Sequence, residues 1–229
     1  MVKKALTVSD WVIGVGDSHP DLAESLHSIK KQDNERLRNS GLPILENLAI
    51  NYLDFLKTPR RLRSFFQDHG LFAIRALPRT SQLPRRYKLG VESLEEATKF
   101  LSSAINDKKI YDILMTKQQP QKYSGIIILK PDQAVIEIGR LGLDRFSHGD
   151  GKRYVGDFDN EGINKFRVRG FSGNYELPIG PKIKTLMNRA LRCIKSSKEI
   201  CNKGYFEFIV TGKNKIKFLD YKVAEGYFK

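Results

Sequence analysis

The chain has 229 residues, 40% of them hydrophobic, and 40 Lys and Arg against 26 Asp and Glu give it a formal net charge of +14 at pH 7. That length suffices for one large domain or for two small lobes around a cleft. The charge calls for anionic ligands such as nucleotide phosphates, acidic metabolites or nucleic acid, and no apolar run approaches the roughly 20 residues of a bilayer-spanning helix. The opening Met1-Val2-Lys3-Lys4-Ala5-Leu6 lacks the apolar core of a signal peptide, so a cytoplasmic location is expected. Cys193 and Cys201 stand eight apart in a lysine-rich stretch, which suits neither a disulfide framework nor a four-cysteine zinc site. Basic residues gather at 57–63, 79–88, 182–198 and 213–217 rather than in one arm, and each cluster alone reads as a solvated face.

Leu22, Leu26, Ile29 and Leu37 fall at near-helical spacing, and Ser40-Gly41-Leu42-Pro43 supplies a glycine end and a proline stop. Residues 44–50 predict a short strand, 52–69 helical material broken at Pro59, and 71–75 an apolar strand ending at Arg75. The basic, proline-containing segment 79–90 predicts a loop. Ser93 and Glu96 form a capping box that opens a helix to about Asn106. Residues 111–116 predict a strand and 117–120 a polar connection, followed by a hairpin of 124–129 with 134–138. The glycine-rich stretch 139–180 is read only as strands and loops. Ile183, Leu186, Met187, Ala190, Leu191 and Ile194 make one stripe of an amphipathic helix over 182–196. The last element is a hairpin, 205–210 with 215–220, around Gly212-Lys213-Asn214.

Glu207 and Asp220 sit one on each strand of that hairpin, thirteen residues apart. Side by side they offer hard oxygens to Mg²⁺, which takes few carboxylates and completes its shell with substrate phosphates. Taken alone, the pair reads first as solvated strand acids or partners for nearby lysines. Upstream, Arg75 ends a strand ahead of a basic loop containing Arg86 and Lys88, where cations can converge on a triphosphate through charge-assisted bonds. Backbone groups of Leu114, Met115, Thr116 and Lys117 are placed to read an adenine edge.

In this order the segments resemble the ATP-grasp superfamily, and most the nucleotide-binding domain of phosphoenolpyruvate synthase and pyruvate phosphate dikinase. The anchors are Ser28-Ile29-Lys30 ahead of Gly41-Leu42-Pro43, Phe72-Ala73-Ile74-Arg75, the 113–116 strand with Ser124-Gly125-Ile126, Glu137 with Leu141-Gly142-Leu143-Asp144 and Gly149, and Glu207 with Asp220. The sequence departs from the family at Ala76-Leu77-Pro78-Arg79, where serines are usual, and at Thr116 and Lys117 in the hinge. Lys222 occupies the place of a metal-binding asparagine, and a charged lysine cannot ligate Mg²⁺.

The resemblance implies an α+β ATP-grasp fold of two lobes with the nucleotide cleft between them, residues 1–112 forming the N-terminal and central lobe and 113–229 the C-terminal lobe. It implies ATP and Mg²⁺ as cofactors. Lys30, Arg75, Arg86 and Lys88 would hold phosphates, residues 114–117 the adenine, and Glu207 and Asp220 the metal, with Arg75, Lys88 and His148 as the catalytic set. The acceptor would be an anionic small molecule or a protein. The phosphohistidine and barrel domains of the dikinases have no counterpart in this length, which leaves room for a separate transfer subunit. A non-catalytic scaffold of the same fold and a basic nucleic-acid-binding protein are the alternatives.

Overall fold

The computed structural model describes residues 37–57, 59–67, 70–79, 86–140, 153–160, 166–173, 180–197 and 204–222. The expected helix ahead of Leu37, the Lys30 segment, the 141–149 loop and all four histidines (His19, His27, His69 and His148) lie outside them. The described chain divides into two units, residues 45–119 in one and 37–44 with 120–222 in the other. The fold is α+β, two antiparallel sheets each with its own helices.

In the first unit, β1 (Asn47–Asn51), α1 (Tyr52–Lys57), α2 (Pro59–Gln67), β2 (Phe72–Pro78), β3 (Arg86–Val91), α3 (Leu94–Ala104) and β4 (Tyr111–Lys117) follow in order, with a single 3₁₀ turn, Lys108–Ile110, before β4. The sheet runs β1-β4-β2-β3. Phe72, Ile74, Ala76, Ile113 and Met115 alternate onto one face and pack with Tyr52, Phe55, Leu62, Ala97 and Leu101 from the helices. Pro59 opens α2 because a first-turn residue needs no amide hydrogen. At α3 the Ser93 hydroxyl accepts from the Glu96 amide at 3.1 Å, while Glu96 Oε2 accepts from Glu92 rather than from Ser93 itself. The segment expected to be a loop contains β3. It gains its order by pairing with β2, where one extra residue is absorbed at Gly90, whose φ of 70° a side chain would resist. All of β4 belongs to this sheet, so the chain divides after Gln119 rather than at the expected 112/113 boundary.

The second unit holds β5 (Gln121–Leu129), β6 (Gln133–Gly139), β7 (Arg153–Asn160), β8 (Phe166–Gly173), α4 (Pro181–Lys195), β9 (Gly204–Thr211) and β10 (Ile216–Lys222). Its sheet runs β10-β9-β5-β6-β7-β8. The apolar stripe of α4, Ile183 through Ile194, is buried and packs on the face that carries Ile127, Leu129, Ile136, Ile138, Phe158, Phe206 and Phe208. Burying each large aliphatic or aromatic side chain contributes about 1.5–3 kcal/mol, which fixes this face as the inner one. The glycine-rich stretch left open by the sequence supplies β7 and β8, paired with each other through Tyr154↔Gly173 to Asn160↔Phe166.

Candidate metal and nucleotide site

The β9–β10 hairpin closes through Gly212-Lys213-Asn214. The Thr211 amide donates to the Lys215 carbonyl at 2.9 Å and the Asn214 amide to the Thr211 carbonyl at 2.8 Å, with Asn214 left-handed at φ 55°. From this turn the strands pair Ile216↔Val210, Lys217↔Ile209 and Phe218↔Phe208. Phe218 lies in the core, and regular alternation would carry Asp220 onto that same apolar face. The register shifts between Phe218 and Asp220, so Leu219 acts as a β-bulge and Asp220 stands directly opposite Glu207. The bulge is what turns the second carboxylate out of the core.

Across the sheet, Ile126 on β5 is opposite both Glu207 on β9 and Glu137 on β6. Cross-strand partners share a face, so Asp220, Glu207, Ile126 and Glu137 form one row on the side away from α4. At about 4.8 Å per strand, Asp220 is one step from Glu207, and Glu137 is roughly 10 Å from Glu207. Glu137 is 0% exposed and Asp220 4%, with Glu207 between buried and exposed. Burial of carboxylates costs free energy unless charge or hydrogen bonds compensate it, so acids kept on one face mark a place for charge. Among the described residues no three acidic, histidine or cysteine side chains converge on one point. The donor set is therefore the adjacent pair. Two hard carboxylates suit Mg²⁺, which completes its shell with phosphate and water oxygens, and Glu207 and Asp220 are the residues that would hold it.

Tyr205, two residues before Glu207 and so on the same face, donates its hydroxyl to Glu207 Oε1 at 2.9 Å. Burial, and then the negative charge and hydrogen bond of Glu207 with smaller effects of Asp220 and Glu137, push this phenol well above its ordinary pKa. It is a neutral hydrogen-bond donor at physiological pH. Sequence reading passed over it, although the two-residue spacing from Glu207 already placed it on that face. Lys222 is opposite Tyr205 in register. The Lys217 ammonium is anchored to the Ile44 carbonyl at 2.9 Å.

In the first unit the predicted residues separate. Arg75 pairs in register with Leu114 and Tyr87, and Ala73 with Thr116, so Arg75, Leu114 and Thr116 share the face opposite the helices. Met115 is on the helix side and wholly buried in the core. Arg86 and Lys88 pair with Ala76 and Ile74, which also puts them on the helix side of the sheet. There Lys88 forms an ion pair with Glu96 at 2.8 Å. The expected convergence of Arg75 with Arg86 and Lys88 is corrected by this register. β4, whose residues 114–117 are expected to read the adenine, is bonded on both edges, to β1 and to β2. At its end the Lys117 amide donates to the Glu46 carbonyl at 2.9 Å and the Gln118 amide to the Leu71 carbonyl at 2.6 Å. The Lys117 ammonium lies 3.8 Å from Glu46.

Solved structures that overlap this fold include ATP-grasp ligases. One is the D-alanine-D-alanine ligase from Coxiella burnetii, 14% identical over 87% of this chain and 48% of its own, with a TM-score of 0.45. Another is a RiPP-associated ATP-grasp ligase from Chryseobacterium gregarium in complex with ADP and a leader and core peptide, 14% identical over 87% of this chain and 53% of its own, with a TM-score of 0.44. N5-carboxyaminoimidazole synthetase from Staphylococcus aureus, complexed with ADP, is 11% identical over 84% of this chain and 43% of its own, with a TM-score of 0.40. The chain spans about half the length of these proteins. No family model matches the sequence, and no curated protein matches it. Among the described residues no helix is long and apolar enough to cross a membrane.

Proposed function

We propose that this chain is an ATP-grasp-type protein that binds Mg-ATP and uses it to activate a carboxylate, on a small molecule or a peptide, for ligation. The observation that carries the reading is the bulge-set opposition of Glu207 and Asp220 on the sheet face away from α4, in one row with buried Glu137. Mg²⁺, when bound, neutralises phosphate charge and fixes phosphate geometry, the main requirements of phosphoryl transfer. Glu207 and Asp220 hold that ion by hard oxygens. Arg75, on the sheet face away from the helices, is assigned to phosphate oxygens through its guanidinium, and Lys30 and His148 are assigned to phosphate binding and substrate orientation on the sequence alone. Likeness to the dikinases likewise rests on the ordered sequence anchors. In the reaction an acceptor carboxylate oxygen bonds to the γ-phosphorus as the bond to ADP breaks, giving an acyl phosphate whose carbonyl carbon a nucleophile then attacks, releasing phosphate.

The test is thermal unfolding with millimolar Mg-ADP. A competent site held well above its Kd adds on the order of 2 kcal/mol or more of stability, and Glu207→Gln with Asp220→Asn abolishes the gain while the fold persists. No gain in the native chain overturns the reading. The engagement of Lys88 with Glu96 favours one other reading, a member of the fold that binds nucleotide without turning it over. Binding without ATP consumption in the presence of candidate carboxylates selects that reading.

A further inference from the structure

We propose that the outward face of α4, joined to the β9–β10 turn, is a binding surface for the phosphate backbone of a nucleic-acid duplex. α4 carries five Lys or Arg in its 15 residues and no Asp or Glu. Its apolar stripe is buried against the sheet, so the face left to solvent is basic. Lys182, Arg189 and Arg192 stand at i, i+7 and i+10, on one line along that face, and all three are exposed. The Arg189 guanidinium donates to the Asn214 carbonyl at 3.3 Å, which brings the turn, with exposed Lys213 and Lys215, against the helix. A carbonyl has no net charge, so this bond does not cancel that of the arginine. Lys182, Arg192, Lys213 and Lys215 enter none of the ion pairs among the described residues. The start of the helix points the same way. A helix N-terminus favours acids, yet the first turn of α4 holds Lys182 and no acid, and Gly180 at its cap supplies no side-chain bond. A cation that helix stability disfavours fits a role toward an external anion.

A membrane-surface helix presents its apolar face to lipid, and that of α4 is buried. A protein partner is held by aromatic and other hot-spot anchors, and single-stranded nucleic acid by aromatic rings on which its bases stack. The exposed large hydrophobic side chains among the described residues, Leu56 and Tyr87 for example, all belong to the other unit. The α4 surface therefore offers charge, which is what a duplex backbone requires of a protein that binds it without reading its sequence. Ten residues of helix cover about 15 Å, or about four phosphates of one strand at roughly 3.4 Å each. The surface is on the opposite side of the sheet from Glu207 and Asp220 and stands apart from the proposed metal pair.

The experiment titrates the full chain into fluorescent DNA and RNA duplexes of about 20 base pairs, and into a single strand of equal length, and reads anisotropy between about 50 and 200 mM salt. In the native chain the duplexes bind more tightly than the single strand, and log affinity falls with log salt at a slope of about −4, a loss of roughly 250-fold over that range. The stronger of the two duplexes distinguishes DNA from RNA as the source of the backbone. Lys182→Ala with Arg192→Ala, Lys213→Ala and Lys215→Ala removes about three to four units of slope and most of the affinity. A control, Lys57→Ala with Arg63→Ala, Lys99→Ala and Lys109→Ala, lowers the net charge equally at exposed positions of the other unit and keeps the slope. Equal losses in the two variants assign binding to net charge and overturn the inference, as does absence of duplex binding by the native chain at the lowest salt. Tighter binding of the single strand, or binding only to vesicles of phosphatidylcholine and phosphatidylserine, names another partner and also overturns it. Saturating Mg-ADP leaves duplex affinity unchanged, and displacement by Mg-ADP overturns the placement on α4. Circular dichroism verifies each fold. If the fourfold α4 variant fails to fold, Lys182→Ala with Lys213→Ala carries the test: a slope reduced by about two supports the inference and an unchanged slope overturns it.

Discussion

At the scale of single residues, carboxylates and thiols here are governed by what lies within a hydrogen bond of them. Glu96 accepts from the Lys88 ammonium and the Glu92 amide, which hold its carboxyl below the ordinary value. A lowered folded pKa means that the stabilisation is complete above the unfolded pKa and is lost as pH falls through the folded one. Glu96→Gln should therefore flatten the acid limb of an unfolding-versus-pH profile by slightly lowering stability at neutral pH while leaving it unchanged below the folded pKa. Cys193 behaves in the opposite sense: burial pushes its thiol up, with Arg189 pulling back only in part. In a Cys201→Ser background its reaction with a disulfide reagent at pH 7.5 should be slower than that of free cysteine, and urea unfolding should restore the rate. The spacing of Glu207 and Asp220 was readable from the chain. Their common face was expected from the hairpin, but the bulge at Leu219 that produces it was not legible, because it leaves no signature that alternation can detect.

Among the elements, those with a strong period were legible and those ordered by their neighbours were not. The stripe of α4 reads directly from its sequence, and every residue named in it is buried. Leu186→Ala should cost about 2–5 kcal/mol, measured by urea unfolding, since it opens a cavity between α4 and the sheet. Gly125 in β5 is constrained from the other side, because a Cβ there would lie 2.2 Å from the Phe208 ring and 2.8 Å from the Glu137 carbonyl. Gly125→Ala should destabilise by about 1–3 kcal/mol through overpacking and displace Glu137 from its row. At the β9–β10 turn, Asn214→Val should cost about 1–2 kcal/mol, whereas Asn214→Gly should be nearly neutral, since φ 55° is the left-handed region that β-branched residues resist. By contrast, β3 carries Arg86, Tyr87 and Lys88 with little apolar alternation and exists because β2 offers it an edge to pair with. Strand propensity depends on partners in just this way.

For the molecule as a whole, a charge of +14 makes electrostatic attraction part of any anion's affinity. Mg-ADP binding should weaken between 50 and 300 mM salt as the Debye length shortens, a dependence that titration calorimetry reads directly. By itself the sequence determined the α+β content of the chain, the amphipathic stripe of α4 and the hairpin that carries two acids, because each follows from local period or turn chemistry. Tertiary structure alone decided that Asp220 leaves the core at the Leu219 bulge, that Glu137 joins the same row across β5, that Tyr205 grips Glu207, and that Arg86 and Lys88 turn away from Arg75. The reason is physical: which side of a strand a residue occupies is fixed by register, and register is set by pairing between segments far apart in the chain.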